Sequence, residues 1–330
     1  MTSIGLIKLG HSVDLLCLEN SPMARKADGK IKNVLTVKNQ LNATLRLASS
    51  AKNYDIIHAQ SARAFGCAAL SSYLHQTPIV FTRRVEFIPR GRLTRLKYSR
   101  ASAVAAISPA ISQILEKFGI ERVPVISSIV EEVKGDEQRA RNILAQKGVH
   151  CDRNVIGVVA ALTGEKDPFT MIKAARELRK KGTDALFLHF GDGPLKSEML
   201  NLIGEYNLIN NYTLMGHLEN ITDFFSCFDL FAMSSRFEGL GSSVLDAFLH
   251  KVPVASTSAG GLKDLVQGRG LLSDPGDAFA LAHNMGFLLN NPQKASEYAN
   301  VAYDYVVENH SMSTIARSYS QLYQKVIGQA

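Results

Sequence analysis

The stretch between residues 230 and 261 constrains the fold of this chain most strongly. An apolar run, Leu230–Met233, is followed by a polar, glycine-rich turn that ends at Gly241. The apolar residues beyond the turn recur at helical spacing, so a helix is predicted over Ser242–His250, with one of the two serines at its start as N-cap. A second apolar run, Val252–Ala255, leads into another glycine turn. This order of strand, turn, helix and strand is typical of a βαβ unit in a parallel sheet.

Two acidic residues flank the start of the predicted helix, Glu238 in the turn and Asp246 roughly one turn into the helix. Both are expected to face the crevice at the carboxyl ends of the strands, where open α/β sheets bind ligands. The glycine-rich backbone between them can approach a bound group closely, and its N–H groups, together with the helix N-terminus, favour an anion. The amides in question are those of Gly239, Leu240, Gly241 and Ser242.

A nucleotide-sugar fits this arrangement of groups. Its phosphate would be held by main-chain amides, and the carboxylates would accept hydrogen bonds from its hydroxyl groups. The spacing leaves a second interpretation open, in which Glu238 is an acid near a helix cap and Asp246 a solvated acid on an ordinary βαβ unit.

The segment EGLGSSVLDA, residues 238–247, is followed by a P-V-A strand and a G-G turn. It resembles the nucleotide-sugar site of glycosyltransferase family 4 (group 1). The family pattern has two glutamates separated by seven residues, and here the pair is Glu238 and Asp246, the second one methylene shorter. The resemblance implies the GT-B fold, α/β with two Rossmann-like, doubly wound parallel-sheet domains facing a cleft. It also implies sugar transfer from a nucleotide-diphosphate-sugar with retention of the anomeric configuration.

The length of the chain, 330 residues, favours two domains. The resemblance implies that residues 1–134 form an acceptor-side domain and residues 135–312 a donor-binding domain. It also implies that a C-terminal helix within 313–330 packs back on the first domain.

Composition favours a globular protein of the cytoplasm. The chain is 46% hydrophobic, no apolar run approaches the length of a membrane span, and the N-terminus lacks the pattern of a secretory signal. Peripheral contact with the inner face of the membrane stays open. The four cysteines are far apart and form no C-x-x-C, so they are interpreted as thiols of a reducing compartment, with no metal site.

The N-terminal residues depart from the family pattern. A helix is predicted over Met1–Leu9, ended by Gly10, and then a strand over His11–Leu18. The family has a first strand and a glycine-rich loop ahead of such a helix, and this chain has neither. Two explanations stay open, a natively short chain or a true start upstream of Met1. The first domain is therefore expected to lack its first strand, at the centre of its sheet.

Apolar runs alternate with helical patterns through the rest of the first half, which predicts a parallel sheet with crossover helices. The predicted strands are Tyr54–Ser61, Pro78–Arg84, Ala103–Ser108 and Val123–Ile126. The resemblance places His58, Arg83 and Arg84 at strand ends on the acceptor side. A lone histidine at a strand end is also typical of a structural residue, so both interpretations of His58 stay open.

A basic run makes the net charge of +7 uneven. Against one acid, Glu86, it contains Arg83, Arg84, Arg90, Arg92, Arg95, Lys97 and Arg100. Such a run is often a solvated face. It would also suit a glycan or lipid-linked anionic acceptor, or an anionic membrane surface. Nucleic acid is not expected as a partner, because few aromatic residues are interleaved and no nucleic-acid module motif is present.

A continuous apolar run, Val155–Ala161, predicts a strand buried on both faces. Lys166 follows it and precedes a helix over Phe169–Lys181, where an ammonium and a helix dipole together suit a diphosphate. A solvated lysine in a turn is the alternative. The resemblance adds further donor-binding candidates in neighbouring turns, namely Thr163, Gly191, Asp192, Gly193 and Leu218.

These candidates predict a reaction mechanism. The nucleoside diphosphate gains negative charge as it leaves, so the rate depends on groups that stabilise that charge. Lys166 and the amides of residues 239–242 are predicted to do so without a metal, and the chain has no D-x-D signature. Glu238 is predicted to bind the donor sugar and Asp246 the ribose. No cofactor besides the donor is expected, and a front-face route is expected because no double-displacement nucleophile is identifiable.

Two other functions stay open. The departures from the family pattern would suit a non-catalytic or truncated nucleotide-sugar-binding protein. A nucleotide-sugar epimerase could use the same two-domain architecture. A nicotinamide dehydrogenase is disfavoured, since no strand is followed by G-x-G-x-x-G and a later acid.

Overall fold

The computed structural model describes residues 1–27, 29–133 and 135–329. The chain divides into two compact units, the first made of Met1–Ile129 and Asn309–Ala330 and the second of Val130–Glu308. Residues 134 and 330, the predicted ends of the first domain and of the last helix, lie outside the described residues. The acceptor-side and donor-side roles of the two regions stay predictions.

The first unit alternates helices and strands, as the sequence pattern predicts. In chain order they are α1 Thr2–Lys8, β1 Asp14–Leu18, α2 Pro22–Ala27, β2 Asn33–Val37, α3 Gln40–Ser50, β3 Ile57–Ala59, α4 Ala62–Ser71, β4 Ile79–Arg83, α5 Arg92–Tyr98, β5 Ala103–Ala106 and α6 Pro109–Lys117. The Ser108 side chain caps α6 by accepting from the Ile111 N–H. The predicted strand over Val123–Ile126 is wrong, because that segment makes only an isolated bridge between Val125 and Ala106.

All strand pairs in the first unit are parallel, but the sheet is interrupted. One sheet has the order β1-β2 and the other β3-β4-β5, and no hydrogen-bonded strand pair joins the two within the described ranges. A side-chain bond links their starts instead, since the Tyr54 hydroxyl donates to Asp14 Oδ2 at 2.7 Å. This interruption agrees with a first domain that lacks a central strand.

The second unit carries the longer sheet. Its elements are α7 Glu137–Gln146, β6 Asn154–Val159, α8 Pro168–Lys180, β7 Ala185–Phe190, α9 Lys196–Glu205, β8 Tyr212–Gly216, β9 Leu230–Met233, α10 Ser242–Leu249, β10 Val254–Thr257, α11 Gly261–Val266, β11 Leu271–Ser273, α12 Ala278–Asn290 and α13 Pro292–Asn309. The predicted helices and strands named above for this half are all present, with ends shifted by a few residues.

The sheet of the second unit is 6-stranded and parallel, in the order β11-β10-β9-β6-β7-β8. Strands β7 and β9 are buried at every position, as expected for strands covered on both faces. A core of Ile172 and Leu178 from α8, Phe187 from β7, and Leu281 and Met285 from α12 fills one side of the sheet.

The last helix, α14 Met312–Ile327, belongs to the first unit. Its buried side chains recur at helical spacing and pack in one cluster with Leu6 of α1, Val80 of β4 and Ala105 of β5. Among the described helices, none is both long and apolar enough to cross a membrane.

A polar network lies beneath α14. His58 contacts the Tyr323 hydroxyl through Nδ1 at 2.5 Å and the Thr82 hydroxyl through Nε2 at 2.8 Å, and Thr82 contacts the Tyr319 hydroxyl at 3.0 Å. Burial, with the nearby charge of Arg84, lowers the pKa of His58 to about 3. The imidazole is therefore neutral in the folded protein at physiological pH.

Stability of the first unit should fall in mild acid because of His58. Between the ordinary histidine pKa of 6.5 and about 3, the unfolded chain takes up a proton that the folded chain does not, so the unfolding free energy decreases as pH decreases. The slope is at most about 1.4 kcal/mol per pH unit for one group. Urea unfolding at pH 7 and pH 5 should show a smaller loss for His58→Gln than for the wild type.

The exposed His150, in the second unit, provides a control for a histidine outside the network. His150→Gln should keep the full wild-type loss of stability between the two pH values. An equal loss in His58→Gln and wild type would contradict a neutral His58 in the folded protein.

Candidate functional site

The sheet order of the second unit creates a crevice at one place. The chain runs from β6 outward to β7 and β8, and then returns to the other side of β6 as β9, β10 and β11. The connections after β6 and β9 therefore leave in opposite directions, and ligands bind in open α/β sheets at the carboxyl ends of two such strands. Lys166 lies in the connection after β6, and Glu238 lies in the connection after β9.

The Lys166 ammonium and the Glu238 carboxylate are in direct contact, as an ion pair between Nζ and Oε2. Both side chains are mostly shielded, with exposed fractions of 22% and 14%. The Glu165 carbonyl accepts hydrogen bonds from the main-chain N–H groups of Arg236 at 2.8 Å and Phe237 at 3.2 Å. The two connections are thus joined through the backbone as well as through the ion pair.

Asp167 fixes the position of Lys166. It is the N-cap of α8 with a left-handed backbone, φ 44°, and its carboxylate accepts from the Thr170 N–H and hydroxyl. The same carboxylate accepts from Arg236 Nε at 2.7 Å. The Ser234 hydroxyl donates to the carbonyls of Lys166 and Asp167, at 3.1 and 2.9 Å. In the sequence, an aspartate directly before Pro168 is a signal for a helix N-cap. No local sequence signal identifies Ser234 and Arg236, its partners in the connection after β9.

The helix α10 begins at Ser242, as predicted, but its N-cap differs from the prediction. Its N-cap is Gly241, with φ 86°, so the predicted serine N-cap is wrong and Ser242 is the first helical residue. A side chain at Gly241 would be strained at this φ, and its Cβ would lie 2.5 Å from Leu262 Cδ2. The first N–H groups of a helix lie ahead of its first intrahelical hydrogen bond. In α10 the first N–H that donates back is that of Val244, to the Gly241 carbonyl at 3.0 Å, so the N–H groups of Ser242 and Ser243 precede the ladder at the carboxyl end of β9.

The predicted turn Gly191-Asp192-Gly193 follows β7 and lies against the connection after β6. A Cβ on Gly191, at φ 147°, would lie 1.9 Å from the Ala160 carbonyl oxygen, and one on Gly193 would lie 2.5 Å from that of Leu162. The Asp192 carbonyl accepts from the Leu162 N–H at 3.1 Å. Both positions suit glycine because a side chain there would collide with the backbone of the connection after β6.

Two other donor-binding candidates lie at the same edge of the sheet. Thr163 follows β6, and its buried hydroxyl has no hydrogen-bond partner among the described residues. Leu218 follows β8 and is partly buried. All of the donor-binding candidates therefore come from the carboxyl ends of four neighbouring strands, but their contacts with a donor stay predictions.

Asp246 lies within α10, and burial raises the pKa of its carboxyl group to about 6, partly offset by His250. At neutral pH the carboxylate is therefore mostly ionised in a poorly solvated position. Hydroxyl groups of a bound ligand would replace the missing water as hydrogen-bond donors.

The acceptor-side candidates divide into buried and exposed residues. Arg83 is buried and donates to the Tyr98 hydroxyl at 2.5 Å, to the Val85 carbonyl at 3.0 Å and to the Phe87 carbonyl. In the structure Arg83 thus holds the loop after β4, and its placement on the acceptor side stays a prediction. His58 likewise serves the network beneath α14. Arg84 is exposed and holds Gln60 Oε1 at 3.0 Å.

No group of three or more His, Cys, Asp or Glu side chains is arranged for a metal ion in the part of the chain that the structure describes. The expectation of a reaction without metal or cofactor stays a prediction.

Two family models cover most of the chain. The model for glycosyl transferases group 1 matches residues 140–305, and the model for glycosyltransferase family 4 matches residues 2–132. The chain belongs to the group 1 glycosyltransferases. The first match contains the ion pair of Lys166 and Glu238, so the candidate site lies inside the family's own region.

Known proteins show how far the similarity extends. A 2-deoxystreptamine glucosyltransferase of Streptomyces kanamyceticus is 30% identical over 179 residues, 53% of this chain and 46% of that protein. TuaC of Bacillus subtilis, a candidate teichuronic acid biosynthesis glycosyltransferase, is 26% identical over 320 residues, 92% of this chain and 79% of TuaC. The chain thus spans less than half of the first of these relatives.

The fold is that of the GT-B glycosyltransferases. The crystal structure of HepE from Anabaena, in complex with UDP and glucose, superposes with a TM-score of 0.84 at 21% identity. The superposition covers 98% of this group 1 chain and 95% of HepE.

Replacing Asp246 should change stability in a pH-dependent way. Its pKa is raised from 3.8 to about 6, so ionisation is less favourable in the folded state and the unfolding free energy falls as pH rises through this range. Asp246→Asn removes this cost and should be more stable than the wild type at pH 8, by about 1–3 kcal/mol. Urea unfolding of both proteins at pH 8 and at pH 4 measures this difference in the free energy of unfolding.

At pH 4 the gain from Asp246→Asn should be much smaller, because the wild-type carboxyl group is protonated in the folded state. Asp264→Asn, at an exposed position of the same unit, should show no such difference. A gain of equal size at both pH values would contradict a raised pKa at Asp246.

Proposed function

We propose that this chain transfers a sugar from a nucleotide-diphosphate-sugar to a glycan or lipid-linked acceptor of a cell-envelope polysaccharide, with retention of anomeric configuration. Family membership supports glycosyl transfer. The observation that carries the proposal is the contact of Lys166 with Glu238 at the switch point of the donor-side sheet. One cation and one carboxylate at this place suit the two halves of such a donor, its diphosphate and its sugar.

Lys166 and the amides after Glu238 would stabilise the leaving group. As the bond from the anomeric carbon to the diphosphate oxygen breaks, negative charge grows on the diphosphate. The Lys166 ammonium is shielded from water, which strengthens its effect on nearby charge. The amides of Gly239, Leu240, Gly241 and Ser242 lie at the N-terminus of α10, where the helix dipole also favours negative charge.

Glu238 would bind the sugar carried by the same diphosphate. The Glu238 carboxylate is paired with the Lys166 ammonium in the protein, so a bound phosphate would share that ammonium with it. Sharing would leave lone pairs of the Glu238 carboxylate available to accept hydrogen bonds from sugar hydroxyls. Asp246 would accept hydrogen bonds from the ribose, and the leaving phosphate would help to deprotonate the acceptor on the front face.

The acceptor class rests on the comparisons. TuaC matches over most of both chains and is a candidate for teichuronic acid biosynthesis, which supports an envelope polysaccharide as product. Pocket contacts worth a few kcal/mol each decide between sugars and between nucleotide bases, so a panel of donors is needed to identify them.

A nucleotide-sugar-binding protein without transfer activity is the second candidate function. It is motivated by the interrupted sheet of the first unit, where the acceptor-side candidates lie. Calorimetry with a nucleotide-sugar would show binding without hydrolysis or transfer in that case. A donor-only incubation analysed by chromatography would reveal an epimerase, because the sugar would be converted with no acceptor present.

Removal of either charged residue should abolish most transfer. Lys166→Ala and Glu238→Ala should each lower the transfer rate by roughly 10²–10³-fold, the usual cost of losing one charge-stabilising group. Transfer is measured as release of nucleoside diphosphate from the donor that raises the unfolding midpoint most in a thermal-shift panel.

Lys173→Ala serves as the control, since Lys173 is an exposed lysine on the adjacent helix α8. It should retain wild-type activity. Near-normal turnover in both Lys166→Ala and Glu238→Ala would remove the site assignment, even if the protein proved to be a glycosyltransferase.

A further inference from the structure

Part of the basic run forms an exposed surface on the first unit that the donor site does not use. It consists of residues 84–96, that is, the loop after β4 and most of α5, and is called here the α5 surface. Its exposed basic residues are Arg84, Arg90, Arg92 and Arg95. Two other basic residues of the run are only partly exposed and bond within the unit, since Lys97 donates to the Ala62 carbonyl at 2.7 Å and Arg100 to the Ser72 hydroxyl at 2.9 Å.

The α5 surface also exposes large apolar side chains, which the charge pattern alone does not indicate. Leu93 is 82% exposed, Phe87 71% and Ile88 64%, and Val85 and Leu96 are exposed as well. Single exposed apolar residues are common, but a cluster of this kind marks an interaction site. Its apolar members alternate with arginines along the chain.

Contacts inside the unit hold the loop in this conformation. The buried Arg83 guanidinium donates to the carbonyls of Val85 and Phe87, so the loop backbone is fixed while the Phe87 ring faces solvent. The third partner of Arg83, the Tyr98 hydroxyl, lies at the end of α5. Arg83 therefore ties the loop and the helix into one surface.

Helix α5 has a buried and an exposed side. Tyr98 is buried and packs edge-on against the rings of Phe65 and Phe81, with centroids 5.4 and 5.8 Å away. Helical spacing places Leu93 and Leu96 together on the outward side, beside Arg92. An outward side of leucine flanked by arginine is typical of a helix that lies in a membrane interface.

We infer that the α5 surface docks this protein on an anionic lipid bilayer. Phe87, Ile88 and Leu93 would enter the headgroup region, where burial of apolar side chains is favourable. Arg90, Arg92 and Arg95 would bind lipid phosphates, since basic residues near an anionic leaflet each contribute to binding. Nucleic acid fits less well, because single-stranded binding uses stacked aromatic rings and Phe87 is the one aromatic residue within residues 84–96.

The inference deepens the proposed function, because a lipid-linked acceptor is met at a bilayer. Its test uses neither donor nor acceptor. Vesicle binding can therefore fail while glycosyl transfer is confirmed, and the reverse outcome is equally distinguishable.

Sedimentation with vesicles tests the α5 surface. The wild type should bind vesicles of equal parts phosphatidylcholine and phosphatidylglycerol, and should bind phosphatidylcholine vesicles weakly. Reversing the charges of Arg90, Arg92 and Arg95 to Glu should lower the partition coefficient about tenfold or more. Phe87→Ser with Leu93→Ser should lower it about tenfold as well, and this loss should persist at about 1 M salt, where the charge contribution is screened.

Two control variants match these changes in the same unit. Lys38, Lys52 and Lys117 are exposed and can be changed to Glu, which alters net charge equally. Leu41→Ser with Leu45→Ser replaces two exposed leucines of α3. Both controls should bind as the wild type does, and thermal midpoints should show that every variant is folded.

Three outcomes would overturn the inference. The first is unchanged vesicle binding in both α5 variants, and the second is an equal loss of binding in the matched controls. The third is tighter binding of the wild type to a single-stranded oligonucleotide than to the mixed vesicles.

Discussion

The contact between the Lys166 ammonium and the Glu238 carboxylate depends on the order of strands in one sheet. Their connections are far apart in sequence, yet they leave the carboxyl ends of β6 and β9, which are hydrogen-bonded neighbours. A cation and an anion held together with little exposure are each less well solvated than in water, so a ligand that offers either of them a charge or hydrogen-bond partner is favoured. The proposed donor chemistry follows from that placement.

Further contacts, two neutral and one ionic, support this charged pair. The Glu165 carbonyl, the Ser234 hydroxyl and the Asp167 carboxylate join the two connections, so Lys166 is positioned by its own backbone. Asp167 adopts a left-handed conformation at the start of α8, and such backbone strain persists only where surrounding contacts hold it. Glycines at 191, 193 and 241 allow neighbouring segments to approach closely at the same edge of the sheet.

The sequence predicts the second unit well because its signals are local. Apolar runs such as Leu230–Met233 reveal strands buried on both faces, and helical spacing reveals α8 and α10. What it misses depends on long-range contacts. Gly241 replaces the predicted serine cap because Leu262 packs against it, and Arg83 leaves the predicted basic face because Tyr98 lies beside it in the fold. The elements α2, β2 and α3 contribute one buried residue, Ala27, so they lack the fully buried positions that identify strands such as β7 and β9.

The most direct test separates the two halves of the donor by comparing affinities. Calorimetry would measure binding of a nucleoside diphosphate and of its sugar conjugate to wild type, Lys166→Ala and Glu238→Ala. If Lys166 binds the diphosphate and Glu238 the sugar, Lys166→Ala weakens both ligands, whereas Glu238→Ala weakens the sugar conjugate and leaves the diphosphate bound at least as tightly. Unchanged diphosphate affinity in Lys166→Ala, or an equal loss for both ligands in Glu238→Ala, would contradict this account.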